Sequence, residues 1–409
     1  MRIAIIGAGI AGVCTAYELA ADGHQVSVFE RRGSVAAEAS FANSGLVAPG
    51  LVLGWTQAPL SLAGRWRRWR QGRDEAAALR RQRLLKLAVY SHERLQQLRR
   101  SLKLDYERAE GMLVLLRSAR EQAAIAPGLE LLAEAGIAHR ALDAAQCRQA
   151  EPGLNPEAAL HGGVLLNAGE VGNCRQFAHQ LRLEAQRLGV QFRFHTTVRS
   201  IAPGTPARLV HEYTPPHEGP GPSARNGNGE NGGDTQPAET GPQQDSFEAI
   251  IVCGAQDSAA LLQPLKLKLP LASAQSCSIT APLRQLEAHP ELGPKAGLFD
   301  QQKQVHISRI GQRVRVVGSD EAQLHKVLND WLPGAMVAGQ LQRWQGPHAT
   351  LSDGLPVLGG SGLAGIWLNL GHADGGFTLA CGAARVLAEQ VGGLTPELDV
   401  SGLDSARFG

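Results

Sequence analysis

Apolar positions along the chain fall into two periods. Residues 2–6 (RIAII) and 25–29 (QVSVF) are short β-branched blocks of the kind buried in a parallel sheet, and residues 13–21 between them carry a helical pattern closed by Gly23. Strand, helix, strand is therefore predicted at the start of the chain. Leu84, Leu87, Ser91, Leu95, Leu98 and Leu102 recur at helical spacing and predict a core-facing helix. Further on, strands are predicted at 111–116, 162–166, 191–195 (continued by Val198 and Ile201), 207–213, 247–253, 305–310, 313–318 and 365–369. Helices are predicted at 121–135, 176–188 and 377–391, the last after a glycine-rich turn at 371–376. The fold class expected is α/β. The chain leaves the opening crossover and returns to it at its end.

The first strand runs straight into Gly7, Gly9 and Gly12 in G-x-G-x-x-G spacing. In that context Gly7 permits the turn, Gly9 lets backbone approach a pyrophosphate, and Gly12 lets helix press on strand. The helix N-terminus, with free N–H groups and a favourable dipole, then faces an anion. Glu30 ends the second strand eighteen residues after Gly12. An acid there accepts from a ribose diol and disfavours a 2′-phosphate, so the ligand expected is a dinucleotide with an unphosphorylated adenosine ribose.

Composition changes this picture little. At 409 residues two packed units are expected. Forty basic and thirty-eight acidic residues leave a net charge of +2, which points away from nucleic acid. The six cysteines have no C-x-x-C or His-Cys ligand spacing, so no metal is expected and a reduced, cytoplasmic compartment fits. The apolar opening carries the phosphate motif and is read as folded protein, and no run is long enough to span a membrane. Between 55 and 73, Trp55, Trp66 and Trp69 alternate with five arginines. That stretch is either a peripheral membrane contact or a charged, partly packed helix or lid. Residues 214–246 turn abruptly to Gly, Pro, Asn, Glu and Gln and are expected to be a disordered insertion at a hairpin tip.

Several separated motifs, in order, carry a family resemblance: the opening crossover, SFANSGLVAPG at 40–50, LLKLAVYSHERLQQL at 84–98, AEPGL at 150–154, GGVLLNAGEVGNCRQFAHQL at 162–181 and LNLGHADGGFTLACG at 368–382. The chain resembles the FAD-dependent D-amino-acid dehydrogenases of the small-subunit type, in the superfamily of D-amino-acid oxidase, glycine oxidase and sarcosine oxidase. The resemblance implies a Rossmann-type FAD-binding domain interleaved with a substrate domain of β-sheet plus helices. Its pieces are expected at 1–50, 167–260 and 345–409, with the substrate domain at 51–166 and 261–344.

It further implies non-covalent FAD, with the pyrophosphate over Gly7, Gly9, Ile10, Ala11 and Gly12, the ribose on Glu30 and Arg31 beside the adenine end. Ser40, Ala42, Asn43, Ser44 and Gly45 would run along the flavin-side phosphate and ring. Val198 would read adenine, Gly254 and Ala255 would sit near the phosphates, and Gly371, His372, Asp374, Gly375, Gly376, Phe377 and Thr378 would face the pyrimidine edge. The implied chemistry is hydride transfer from the Cα of a D-amino acid or related amine to flavin N5, giving an imino acid and then a 2-oxo acid and ammonia. Electrons would pass to a quinone-type acceptor at the inner face of a membrane, with homo- or hetero-oligomers as partners. An oxygen-using glycine, sarcosine or imino-acid oxidase, and a catalytically degenerate flavin subunit, are the alternatives.

One departure matters. The family segment G-x-R-P-x-T-P-D-G-x-P reads GPHATLSDGLP at 346–356, so His348 stands where a carboxylate-binding arginine is expected. Either Arg309, in ISRI, binds the carboxylate instead, or the substrate is not an ordinary amino acid, or catalysis is lost. His372 is either a catalytic group or a ring-packing one.

Overall fold

The computed structural model describes residues 1–53, 55, 75–215, 241–254, 257–284 and 292–408. Among them, six strands form a sheet in the spatial order Val357–Gly360, Ile366–Leu370, Ala249–Val252, Arg2–Ile6, Gln25–Phe29, Gln191–Arg193. All pairs are parallel except Val357–Gly360 with Ile366–Leu370. Strands covered on both faces need continuous apolar sequence, and Ile3, Ile5, Val26, Val28 and Ile251 are correspondingly buried. Helices Ile10–Ala21, Cys174–Arg187, Glu75–Leu102 and Gly376–Val391 pack together over one face. Gly382 allows the last two to touch, since a Cβ there would meet the backbone of Ser91 at 2.8–2.9 Å. Leu84, Leu87, Leu95 and Leu98 are buried on the expected helix face.

The other sheet has nine strands. It runs from Gln342–Leu351 through Leu271–Pro282, Arg313–Gly318, Val305–Ile310, Gly297–Asp300, Ala109–Leu116 and Gly162–Val171 to Leu46–Val47, with Arg140–Asp143 also paired to Gly162–Val171. The expected domain cuts at 50/51, 166/167 and 344/345 therefore do not separate the sheets. Leu46–Val47, the end of Gly162–Val171 and residues 345–351 of Gln342–Leu351, all expected in the FAD domain, belong to the nine-stranded one. Strand alternation gives this sheet two unlike faces. Cys277, Ile279, Ile307, Val314 and Val316 bury an apolar face against helix Glu321–Trp331, while Ser278, Thr280, His306, Ser308 and Arg315 lie on the other.

Two expectations change in detail. The strand predicted at 191–195 and onward breaks at His195, whose backbone is left-handed (φ 55°), so Thr196–Ala202 enters a separate three-stranded sheet with Ala207–Tyr213 and Gln243–Phe247. The insertion predicted as disordered over 214–246 ends earlier, because residues 243–246 are strand. Ladder bonds to residues 207–211 hold it, together with Asp245 paired to Arg193 at 2.9 Å and His211 at 3.2 Å. Polar partners across the strands, which composition does not display, replace apolar burial there. Residues 216–240 lie outside the described residues, as do 56–74 with Trp66 and Trp69. Trp55 is described and is buried, its Nε1 donating to the Gly50 carbonyl at 2.5 Å, so it offers nothing to a membrane.

Candidate active site

The glycine motif forms the floor of a cavity of about 460 Å³. Two of its glycines are demanded by the protein itself. Gly7 has φ +97° and a Cβ on it would come 3.1 Å from the Gly254 backbone, while one on Gly12 would lie 2.0 Å from the Gly7 carbonyl oxygen. Gly9 is different, since a Cβ there meets only Ser40 Oγ at 3.5 Å. The space beside Gly9 is left for something other than this chain's packing. Helix Ile10–Ala21 starts there with no capping side chain and no acid in its first turn. The Ile10 N–H donates to Ser40 Oγ at 3.1 Å, a neutral partner where an anion binds more strongly.

Glu30 stands at the cavity wall and accepts from the Ala8 and Arg32 N–H groups, both at 2.7 Å. Burial nevertheless raises its pKa, the two backbone donors opposing that rise. Its remaining lone pairs suit a ribose diol. Arg31 spans the rim from Glu38 at 2.7 Å to Asp257 at 2.5 Å. Val198, Ala11, Gly254, Gly371 and His372 complete this wall, and Ala255 lies outside the described residues.

A second cavity of about 250 Å³ abuts the first, and Ile10, Ala39, Ser40, His348, Ala373 and Gly376 line both. Asn43, Ser44 and Asp374 line it from the loop side. The polar face of the nine-stranded sheet supplies the rest, including Ser276, Phe299, His306 and Trp344. Gly376 opens helix Gly376–Val391 at this junction, again without a capping side chain. Two helix N-termini thus converge on one groove, a fit for a molecule carrying a pyrophosphate and a ring that becomes electron-rich.

Three imidazoles mark the junction. His348 lies opposite Ala274 in the sheet, with Nε2 3.6 Å from Asp374 Oδ1 and a buried Nδ1 without a partner. His372 is half-buried, with a buried Nε2 that has no partner, and desolvation lowers its pKa to about 4. His306 was not foreseen from the sequence. It stacks on Phe299 at 4.4 Å and is likewise lowered to about 4 by burial, Asp374 opposing the shift. Arg315 was also missed. This guanidinium is 4% exposed, donates from Nη1 to the Asn43 carbonyl at 3.2 Å and from Nε to Thr280 Oγ1 at 3.0 Å, and burial lowers its pKa to about 10. Its place beneath the 40–45 loop depends on register across two strands, and a strand of alternating Arg and Val gives no sign of it.

Other expected site residues stand behind the walls. Ala42 is buried, and Gly45 packs so tightly that a Cβ would reach the Gly172 oxygen at 2.3 Å. Gly375 packs against Val52 and Leu379, Phe377 joins the helix core, and Thr378 ties Leu46 to Ala48 through its hydroxyl. Arg309 is a correction. It shares the sheet face of Ile307 and gives its guanidinium to Gly311 and Pro294 carbonyls and to Gln312, so it reaches neither cavity. The ISRI pattern alone could not tell which face it took.

A dinucleotide cradle opening into a chamber beneath a second sheet fits a flavoenzyme of the amine-oxidising kind, and the family model for DAO, FAD dependent oxidoreductase, matches residues 2–390. The chain belongs to this family, and its cofactor is FAD. Proteins named D-amino acid dehydrogenase are similar over all of this chain: 32% identical in Cereibacter sphaeroides, covering 95% of that protein, and 31% in Rhodopseudomonas palustris, covering 98%. Among solved structures, glycine oxidase from Geobacillus kaustophilus superposes with a TM-score of 0.76 at 18% identity, covering 99% of each chain. L-Proline dehydrogenase from P. horikoshii gives 0.72 at 14%, covering 100% of this chain and 97% of that one. No helix among the described residues is long and apolar enough to cross a membrane, and no His, Cys, Asp and Glu group there could hold a metal.

Proposed function

We propose that this protein is a D-amino-acid dehydrogenase that oxidises the CH–NH bond of a D-amino acid or related amine and passes the electrons to a quinone-type acceptor. The observation that carries this reading is the shared wall between the two cavities. It puts whatever occupies the second chamber directly beside the flavin end of the first. Bound FAD supplies the two-electron acceptor for the hydrogen on the amine-bearing carbon.

The chain's own residues bind, orient and exclude water. Backbone at Gly7, Gly9, Ile10 and Ala11 holds the pyrophosphate, Glu30 the ribose, Val198 the adenine side, and Ser40, Asn43, Ser44 and Gly376 the flavin end. The N-terminus of helix Gly376–Val391 favours negative charge arriving there on reduction. Phe299 and Trp344 wall the chamber against water, and Asp374 meets the substrate ammonium.

Anaerobic mixing with a panel of D-amino acids and cyclic amines tests the reading, since productive substrates bleach the yellow absorbance. Reoxidation by a quinone or dye without peroxide is expected. Steady peroxide formation in air marks the glycine- or imino-acid-oxidase alternative, and failure of every substrate to bleach the flavin marks a non-catalytic flavin subunit. A quinone-linked enzyme works at the inner membrane face, and flotation with anionic liposomes at graded salt checks that placement.

A further inference from the structure

The second chamber contains a feature that the amine-oxidising reading leaves unused: among its described lining residues there is an aspartate and two histidines but neither lysine nor arginine. The buried guanidinium nearest in the fold, Arg315, is turned onto the Asn43 carbonyl and Thr280 and is absent from the chamber wall. Positive charge on His348 would already be answered by Asp374 at 3.6 Å. Its single Nε2 donor also cannot make the two parallel bonds that a guanidinium gives a carboxylate. His306, partly buried and stacked on Phe299, has its pKa lowered to about 4 by desolvation and brings no positive charge at neutral pH. A free carboxylate entering this space finds no lysine or arginine among the described lining residues and meets an aspartate, itself 75% exposed, so it gains no charge-assisted pair in return for the hydration it gives up. A carbonyl oxygen accepts the same imidazole hydrogen bond without bringing charge, and the ammonium on the neighbouring carbon keeps Asp374 as its partner.

We infer that the chamber takes α-amino compounds whose carboxyl group is masked as an amide or ester, with His348 reading the carbonyl and Asp374 the ammonium. This rests on the amine-oxidising reading above and narrows its substrate class. The reaction balances as for a free amino acid. The Cα–H bond breaks and its electron pair goes with that hydrogen to oxidised FAD, the ammonium sheds one proton to water, and the nitrogen lone pair closes the C=N bond. Water then releases ammonia from an open-chain imine and leaves a 2-oxo amide or ester, whereas a cyclic imine keeps its nitrogen.

The holoenzyme is mixed anaerobically with D-alaninamide and D-alanine, and with D-prolinamide and D-proline. Bleaching is expected to favour each amide by at least about tenfold in rate over KM, the difference between one charge-assisted bond made and lost. His348→Arg is expected to reverse that ratio. Should the variant not fold, the wild-type pairs decide alone. A second readout needs no turnover: calorimetric titration with 2-aminobenzamide is expected to show affinity at least about tenfold above that for 2-aminobenzoate. Equal or better reaction and binding of the free acids overturns the inference. If no substrate bleaches the flavin, the oxidoreductase reading fails, and the benzamide to benzoate ratio still decides this one.

Discussion

The two cavities are built by opposite means. The nucleotide cavity takes its floor from contiguous sequence, a strand end, Gly7 and Gly9, a helix start and an acid at the next strand's end, with Val198, Gly254 and Gly371 on its other wall. The chamber beside it is walled by side chains from strands far apart in the chain, brought level by register, such as His348 opposite Ala274 and His306 opposite Val317. A cradle made of main chain tolerates almost any sequence around it, whereas one made of side chains can change its ligand with a single substitution. The first part of this site follows the family's chemistry closely and the second departs from it at His348.

Breaking the cradle gives the largest effect. Gly12→Ala puts a Cβ on the Gly7 oxygen, so the variant is expected to be purified colourless with a lowered apoprotein Tm, measured by absorbance and calorimetry. Gly9→Ala sharpens the contrast. Nothing in the protein opposes that Cβ within 3.5 Å, so the apoprotein Tm is expected to stay unchanged while FAD affinity falls. A parallel fall in Tm would show that Gly9 serves packing after all.

Two imidazoles respond next, through acid, His306 in the chamber and His372 in the nucleotide cavity. His306 and His372 are held near 4 against an ordinary 6.5, so below 6.5 the unfolded chain takes up protons that the native chain refuses. Their contribution is whole above about 6.5 and lost progressively towards 4, at up to about 3 kcal/mol per imidazole. Denaturant titrations between pH 7 and 4.5 check the slope. Replacing both histidines by glutamine is expected to flatten it.

Smaller still is Ser308→Ala. Its hydroxyl donates to the Ser44 carbonyl at 2.7 Å, and the orphaned oxygen is expected to cost about 1–3 kcal/mol, read from the denaturation midpoint, with a raised substrate KM. Arg309→Ala lies at the bottom of the scale. With its guanidinium spent on carbonyls outside both cavities, kcat/KM is expected to remain within about twofold. A larger loss would return Arg309 to the substrate.

What the sequence disclosed follows the same division. The opening crossover, the leucine face of helix Glu75–Leu102 and the returning C-terminal helix were legible, because periodicity and local motifs encode them. The long strands Leu271–Pro282 and Gln342–Leu351 were not, being mixed polar and small residues that gain stability from pairing with each other. His306 and Arg315 lie on strands that were legible, but which face of the sheet each side chain takes, like that of Arg309, is set by pairing with strands far away in the sequence. Residues 243–246 were taken for part of a loop because an ion pair rather than an apolar stripe sustains them.

The short strand Leu46–Val47 has a kinetic meaning. It fastens the end of the 40–45 loop to the edge of the nine-stranded sheet, and Ser308 and Arg315 stitch the same loop from beneath. Floor and roof of the reaction chamber are therefore one hydrogen-bonded fabric. Lobes that part like a clamshell would tear that seam, so access to the chamber does not come from separating its floor and roof.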